Sequence, residues 1–269
     1  MGFGVVSEGE EMAMRLAVST LGMPGAGLGE ALAVAGRFGC AGVELRLHED
    51  TGVHAGLGAG ERREVRRRVA AAGLEVSALA GYVRLCEPGD DGPVVEALLK
   101  DLRLAAELGA GGVRVFPRGD DPAVGARRLR AVAGEAAALG VKVLVETHDQ
   151  MATGAAVAAL LREAGVAQAA ALWDLLHPWR NGEEPAATLA ALAPYLEYVQ
   201  VKDAVSAADT TPVAMGEGGV PLEEAGGLLR AHGYRGWVSL EWERTWYPQV
   251  APVEEILPGA AAWVRRFGA

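Results

Sequence analysis

Residues 134–148 read GEAAALGVKVLVETH. An alanine-rich run of helix formers stops at Gly140, a residue type that readily takes the left-handed conformation ending a helix. A Val/Leu run follows at once and suits a strand buried on both faces. That run closes on Glu146, with His148 two residues further on. The same order of parts recurs along the chain. Gly39, Gly73, Gly109, Gly165 and Gly233 each stand after a helical stretch and before an apolar run.

Working outward, this pattern predicts strands at 15–19, 42–45, 74–80, 112–116, 142–146, 170–173, 197–201 and 237–240. Helices are expected at 28–38, 61–72, 94–108, 123–139, 154–164, 185–193, 222–232 and 253–267. Eight units at roughly 32 residues each match the spacing of a (β/α)8 barrel. The expected class is therefore α/β, a single (β/α)8 TIM barrel over residues 14–269. Residues 1–13 read as a flexible leader, with Met14 a candidate start. A doubly wound sheet would more often carry a dinucleotide fingerprint after its first strand, and Gly22-Met23-Pro24-Gly25 is not one.

Composition narrows the function classes. The 269 residues hold 25 Lys plus Arg against 35 Asp plus Glu, a net charge of −10. That excess disfavours nucleic acid and anionic membranes as partners, because both demand cationic side chains. Cys40 and Cys86 lie in unrelated contexts, so neither a cysteine zinc site nor a disulfide scaffold is expected. Apolar runs are too short to span a bilayer, and the acidic first residues lack the order of a secretory signal. A cytoplasmic protein is the expectation. Oligomeric state is not legible, and a homo-oligomer is compatible with the sequence.

In such barrels the chemistry lies at the carboxyl ends of the strands. The last four strands close on Glu146, Asp174, Gln200 and Glu241. Three carboxylates and an amide oxygen converging there would hold one divalent metal ion; Mn²⁺, Mg²⁺ or Co²⁺ suits this hard donor set, and Zn²⁺ is admitted. A cation is also the simplest way to keep three neighbouring carboxylates ionised. The plainer alternative is that polar residues end strands because the chain reaches solvent there. Four in succession weigh against it.

A series of short motifs then lines up with a known pattern: Gly42-Val-Glu44-Leu-Arg46, Glu146-Thr-His148, Trp173-Asp174 with His177, Val201-Lys202-Asp203, Gly216-Glu217-Gly218 and Ser239-Leu-Glu241. In this order they resemble the sugar phosphate isomerase/epimerase family of the xylose isomerase-like TIM barrel superfamily, from about residue 15 to 267. The superfamily includes ketose 3-epimerases, inosose isomerases and dehydratases, hydroxypyruvate isomerases and apurinic-site endonucleases. The resemblance implies that Glu146, Asp174, Gln200 and Glu241 hold the metal and that Glu146 and Glu241 are the acid/base pair. Many relatives carry His where this chain has Gln200; the amide keeps an oxygen donor and favours hard metals over zinc.

Glu146 and Glu241 stand three strands apart in an eight-strand ring, so they approach a central substrate from different sides. One can remove a proton beside a carbonyl and the other return it, with the cation stabilising an enediolate. His177 resembles a family histidine that contacts substrate oxygens; a capping role is the alternative. His148 shares a face with Glu146 if the strand continues, either against substrate or as a hydrogen-bond partner. Lys202 stands likewise to Gln200, as a substrate contact or an ion pair with Asp203. Glu44 would meet substrate or an arginine such as Arg46. Trp242, Trp246 and Tyr247 form either a wall or lid over a small ligand, or part of the core or of a subunit contact. The Arg/Glu-rich residues 61–68 read as a solvated helix face. Residues 204–215 hold neither Arg nor Lys, so an anionic substrate would need Arg118, Arg180 or Arg244.

The expected function is a metal-dependent isomerase or epimerase of a sugar, an inositol-derived ketone or a small hydroxy-ketone. The alternative is a dehydratase of a cyclic polyol ketone or a dehydroshikimate-like acid. Both begin with the same proton abstraction. Abasic-site repair would need a histidine-rich multi-metal site, and the chain has five histidines.

Overall fold

The computed structural model describes residues 14–268; the leader expected at 1–13 lies outside them. The eight apolar runs form eight parallel staves: β1 (Arg15–Ser19), β2 (Gly42–Arg46), β3 (Glu75–Arg84), β4 (Gly112–Phe116), β5 (Lys142–Glu146), β6 (Ala169–Asp174), β7 (Leu196–Val201) and, after a short hairpin, β10 (Trp237–Leu240). They close in the order β1-β10-β7-β6-β5-β4-β3-β2. The hairpin pairs β8 (Asp203–Ala204) with β9 (Pro212–Val213). Between the staves run α1 (Leu28–Arg37), α2 (Ala59–Ala71), α3 (Asp91–Leu108), α4 (Pro122–Leu139), α5 (Gly154–Ala164), α6 (Leu176–Arg180), α7 (Pro185–Leu192) and α8 (Leu222–His232), and α9 (Val253–Phe267) follows the last.

The six punctuating glycines do what the sequence asks of them: Gly39, Gly73, Gly109, Gly140, Gly165 and Gly233 all have φ between +62° and +83°. A side chain there would strain the backbone, which is why glycine ends these helices.

Alternation along each stave divides the apolar residues into two bodies. One face packs outward against the helices, where Val113, Val143, Val199 and Val238 are buried. The other fills the barrel with Ala78, Leu144, Ala170, Leu172 and Tyr198, joined by Trp237. The Arg15 guanidinium lies 3.8 Å from the Trp237 ring centre and covers this plug from the amino end. Gly112 makes room inside, since a Cβ there would come within 2.6 Å of Leu144. Above the plug, Ser77 and Tyr198 share a hydrogen bond of 2.8 Å, and the barrel turns polar toward its carboxyl end.

Apart from the β8–β9 hairpin, which has no expected counterpart, observed element ends differ from the expected ones by three residues or fewer, with two exceptions. Expected to stop at 80, β3 runs on to Arg84 through a register shift between Ala80 and Arg84. Gly81 permits that irregularity, because a Cβ there would lie 2.9 Å from the Arg114 carbonyl. The extension lifts Tyr82 to the mouth. The second exception, α6, has five residues including Pro178, too few for an apolar period to register.

Candidate functional site

The inward-facing residues of each stave become polar at the carboxyl end. β2 contributes Glu44 and Arg46, and β4 contributes Arg114 and Phe116. β5 gives Glu146 with His148 just beyond, and β6 gives Asp174 with His177 in α6. β7 gives Gln200 with Lys202 just beyond, and Glu241 and Glu243 follow β10. Register sets their neighbours: Asp174 pairs with Gln200, and Gln200 with Ser239. Glu44, Arg46, Arg114, Glu146, Asp174, Gln200, Lys202 and Glu241 are all buried.

One oxygen from each of Glu146, Asp174 and Glu241 lies within 4.8 Å of the others. The Gln200 amide donates to both Glu44 oxygens and to Glu241 Oε1, each at 3.1 Å. Its carbonyl oxygen is buried and receives no hydrogen bond. Lys202 Nζ donates to Glu241 Oε2 and to Glu243 Oε1, the latter at 2.7 Å. It also lies 2.7 Å from Asp174 Oδ2, close enough for an ion pair though badly angled for a hydrogen bond. Arg114 Nη1 donates to Glu146 Oε2 at 3.0 Å.

Electrostatics follow from this crowding. Burial raises the Glu146 pKa well above the ordinary carboxylate value, and Glu241 and Asp174 add to the rise while Arg114 opposes it. Burial pushes Asp174 up to about 7, aided by Glu241 and resisted by Lys202. Burial and Glu241 likewise raise Glu44. At Glu241 burial alone would raise the pKa, yet Lys202 and Arg114 hold it below the usual range. Burial would lower Lys202, but its carboxylate partners keep it firmly protonated. Burial pulls His148 down to about 4 and His177 well below its ordinary value, so both rings are neutral near pH 7.

These residues fit a hard divalent cation. Three carboxylates converge, and the nearby buried amide spends its N–H groups on carboxylates while leaving its acceptor without a donor. A buried acceptor without a partner is costly unless something positive meets it. The metal-capable residues are thus Glu146, Asp174, Gln200 and Glu241.

The rest of the mouth is lined by flat groups in continuous contact. The Arg46 guanidinium stands 5.3 Å from the Trp246 ring and 5.6 Å from the Tyr82 ring. Arg114 lies 5.5 Å from Tyr82 and 3.9 Å from Phe116. Phe116 then meets His148 at 4.6 Å, and His148 meets His177 at 4.2 Å between ring centres. His177 Nε2 is 3.5 Å from Asp174 Oδ2 and 3.9 Å from Glu146 Oε1. Both histidines therefore border the carboxylates, and one atom each of Glu146, His148 and His177 forms a second close group.

Two expected pairings do not form. Lys202 turns to Asp174, Glu241 and Glu243, whereas the Asp203 carboxylate accepts from the N–H groups of Ala204, Gly216, Gly218 and Val220. Adjacent residues leaving a stave point to opposite sides, so Asp203 fastens the Gly216–Val220 turn instead of pairing with Lys202. Glu44 is fully buried beneath Gln200, while Arg46, one inward step nearer the mouth, bonds Asp50 and Tyr82. Of the expected aromatic wall, Trp242 belongs to the outer core and Trp246 is exposed beside Arg46.

The sequence reading missed Arg114, although a signal was there. Gly112, Arg114 and Phe116 share the inward face of a five-residue stave, so a buried charge had to lie among the apolar neighbours. Tyr82 was missed with the extension of β3, and Glu243 although it follows Glu241 at the same two-residue step that marks His148 and Lys202.

A family model for the xylose isomerase-like TIM barrel matches residues 32–267, and the chain belongs to that family. No curated protein matches the chain. Among solved structures, an L-ribulose 3-epimerase superposes with a TM-score of 0.78 at 18% identity, covering 94% of each chain. The probable 3-DHS dehydratase AsbF of Bacillus anthracis gives 0.75 at 21%, covering 94% of this chain and 98% of that one. The 3-keto-D-glucoside 4-epimerase YcjR of E. coli gives 0.75 at 19%, covering 94% and 99%. At such identities the likeness is one of fold.

Proposed function

We propose that the chain is a divalent-metal-dependent isomerase or epimerase of a neutral polyhydroxy ketone. The observation that carries this reading is the convergence of Glu146, Asp174 and Glu241 within 4.8 Å, with the buried Gln200 amide bonded to Glu241 through its nitrogen and its oxygen left without a donor. Glu146, Asp174, Gln200 and Glu241 would hold the ion. When bound, it supplies positive charge that offsets the negative charge developing on the substrate oxygen. Epimerase neighbours such as those of L-ribulose and a 3-keto-D-glucoside lend the substrate class.

The protein's own groups then divide the work. Glu146 and Glu241 enter from staves three steps apart, so one carboxylate takes the proton beside the carbonyl and the other returns it to the opposite face or the adjacent carbon. Arg114 holds one Glu146 oxygen and fixes the carboxylate's orientation. His148 and His177, both neutral, offer hydrogen bonds to substrate hydroxyls. Phe116 and Tyr82 exclude water on the facing side.

Solvent-deuterium exchange is the test. Protein supplied with Mn²⁺ should place deuterium at the carbon beside the carbonyl of recovered ketose. Glu146→Gln and Glu241→Gln should each reduce turnover by about 10²–10⁴-fold, the usual span for a positioned acid or base. His177→Ala should act mainly on KM. Exchange that persists in both glutamine variants would end this reading. A dehydratase would begin alike but yield an enone, seen by its ultraviolet absorbance. Against an acidic substrate for it, Arg46, Arg114 and Lys202 already face Asp50, Glu146 and the Asp174/Glu241/Glu243 group, which leaves Arg244, with its buried and unpartnered Nε, to receive one.

A further inference from the structure

Lys202 stands where its charge conflicts with the ion proposed above. Its side chain is 2% exposed, and its ammonium touches three carboxylates. Two of them, Asp174 and Glu241, belong to the converging triad; the third, Glu243, does not. Three of the four oxygens of the two shared carboxylates accept hydrogen bonds, and the fourth faces the ammonium as an ion pair. Asp174 Oδ1 accepts from the Leu176 N–H, and Oδ2 faces Lys202. Glu241 Oε1 accepts from Gln200, and Oε2 from Lys202. A divalent ion on these groups would lie within a few ångströms of the ammonium, and such like charges repel strongly in a protein interior.

From this we infer that Lys202 is a resident cation that competes with the divalent metal for Asp174 and Glu241, and that Glu243 receives the ammonium when the metal enters. The inference rests on the reading of the cup as a metal site. Without a metal, the lysine keeps two adjacent buried carboxylates from facing each other uncompensated. With one, its flexible four-carbon stem lets the ammonium withdraw while Glu243 Oε1, already 2.7 Å away, keeps it paired. Glu243 is the most exposed of the three carboxylates, with 16% of its side chain in solvent, which places it at the outer edge of the cup. Lys202 is accordingly a positioning residue. It sets how tightly the metal is held and keeps the site formed when the metal leaves.

The experiment is a titration of Mn²⁺ into chelator-treated protein by calorimetry, with free Mn²⁺ followed by electron paramagnetic resonance. Lys202→Met should bind Mn²⁺ at least tenfold tighter than the unmodified chain. Lys202→Arg, which keeps the charge, should stay within about threefold of it. Glu243→Gln retains Lys202 but removes its refuge, so Mn²⁺ should bind about tenfold weaker. In the Lys202→Met background the same change should matter less than threefold, a non-additivity that a merely structural lysine would not produce.

If Lys202→Met fails to fold without metal, the Glu243→Gln result still decides, because that variant leaves the resident cation in place. Mn²⁺ binding to folded Lys202→Met no tighter than to the unmodified chain would overturn the competition while leaving the metal reading intact. An unchanged affinity in Glu243→Gln would overturn the refuge. Failure of Mn²⁺ to bind either the unmodified chain or folded Lys202→Met would overturn both the competition and the metal reading.

Discussion

Replacing Arg114 with methionine tests the electrostatic frame of the mouth most directly. Its guanidinium and the Glu146 carboxylate meet at 3.0 Å with side chains 4% and 1% exposed, so water cannot compensate either charge. Methionine keeps an apolar stem against Phe116 and removes only the charge and the donor. Breaking one side of a buried pair costs about 3–5 kcal/mol, because the remaining charge is left unmet. For a chain of this size each kcal/mol lowers Tm by about 2–4 °C, so the melting point should fall by roughly 10 °C in chelator-treated protein. Differential scanning calorimetry with matched urea titrations reads both quantities.

Acidity supplies a second signature of the same change. The Glu146 pKa is already raised by burial, and Arg114 is the largest influence opposing that rise. Removing the arginine raises it further. A carboxyl whose folded pKa exceeds its unfolded value contributes stability that is present at low pH and lost as pH rises through the folded value. The penalty in Arg114→Met should therefore be largest near pH 8 and shrink as pH falls and Glu146 takes up a proton. Saturating Mn²⁺ should restore much of the loss at pH 8 by supplying charge to the same carboxylate. A penalty below about 1 kcal/mol at pH 8, or one that does not change between pH 8 and 5, would refute the argument that this pair is a desolvated ion pair.

In the unmodified chain without metal, Asp174 is raised to about 7, so its contribution is lost as pH rises through that value; calorimetry between pH 5.5 and 8.5 should show Tm falling with pH. With excess Mn²⁺ the slope should flatten or reverse, because metal binding requires the deprotonated groups. Gly112→Ala places a methyl 2.6 Å from Leu144 and should cost about 1–3 kcal/mol in urea titrations, with Leu144→Val in the same chain recovering part of it. Asp203→Ala removes the acceptor for four N–H groups and should cost about 3 kcal/mol, with hydrogen exchange accelerated at Gly216, Gly218 and Val220.

Most of the barrel could be read from the chain because its parts are locally specified. A glycine that must take positive φ, followed by an apolar run buried on both faces, marks the junction into six of the eight staves without reference to anything distant. The strand-end rule then put Glu146, Asp174, Gln200 and Glu241 at one end, where the side chains do converge. What stayed hidden is non-local. Sequence spacing put Lys202 beside Asp203, but its partners Asp174 and Glu241 are 28 and 39 residues away and are brought to it only by barrel closure. Arg46 passes over Glu44 for Asp50 because the short turn at Glu49–Thr51 folds back toward the mouth. The reach of β3 to Tyr82 depended on an irregularity that strict alternation cannot anticipate.

Charge balance links the fold to the kind of molecule the mouth accepts. Glu44, Glu146, Asp174 and Glu241 bring four buried carboxylates to the cup, and Arg114 and Lys202 are the buried cations against them. A divalent ion would offset most of the negative excess; without it, burial raises the pKa values of Glu44, Glu146 and Asp174 and so favours their taking up protons as pH falls. With Glu243 also on Lys202, even the ion-loaded cup would carry no surplus of positive charge before substrate arrives. A phosphorylated or carboxylate-bearing substrate would add negative charge where Arg114 and Lys202 are already engaged, and the hairpin connection at 204–215 brings no Arg or Lys to receive it; of the arginines named for that task, Arg118 lies 3.9 Å from Asp149, and only Arg244 has a buried Nε without a hydrogen-bond partner among the described residues. An uncharged polyhydroxy ketone adds charge only transiently, as its oxygen becomes anionic beside the ion. A cup without surplus positive charge is therefore better matched to the charge of a neutral ketone's transition state than to that of an acid's ground state, and such differential stabilisation is what accelerates the chemical step.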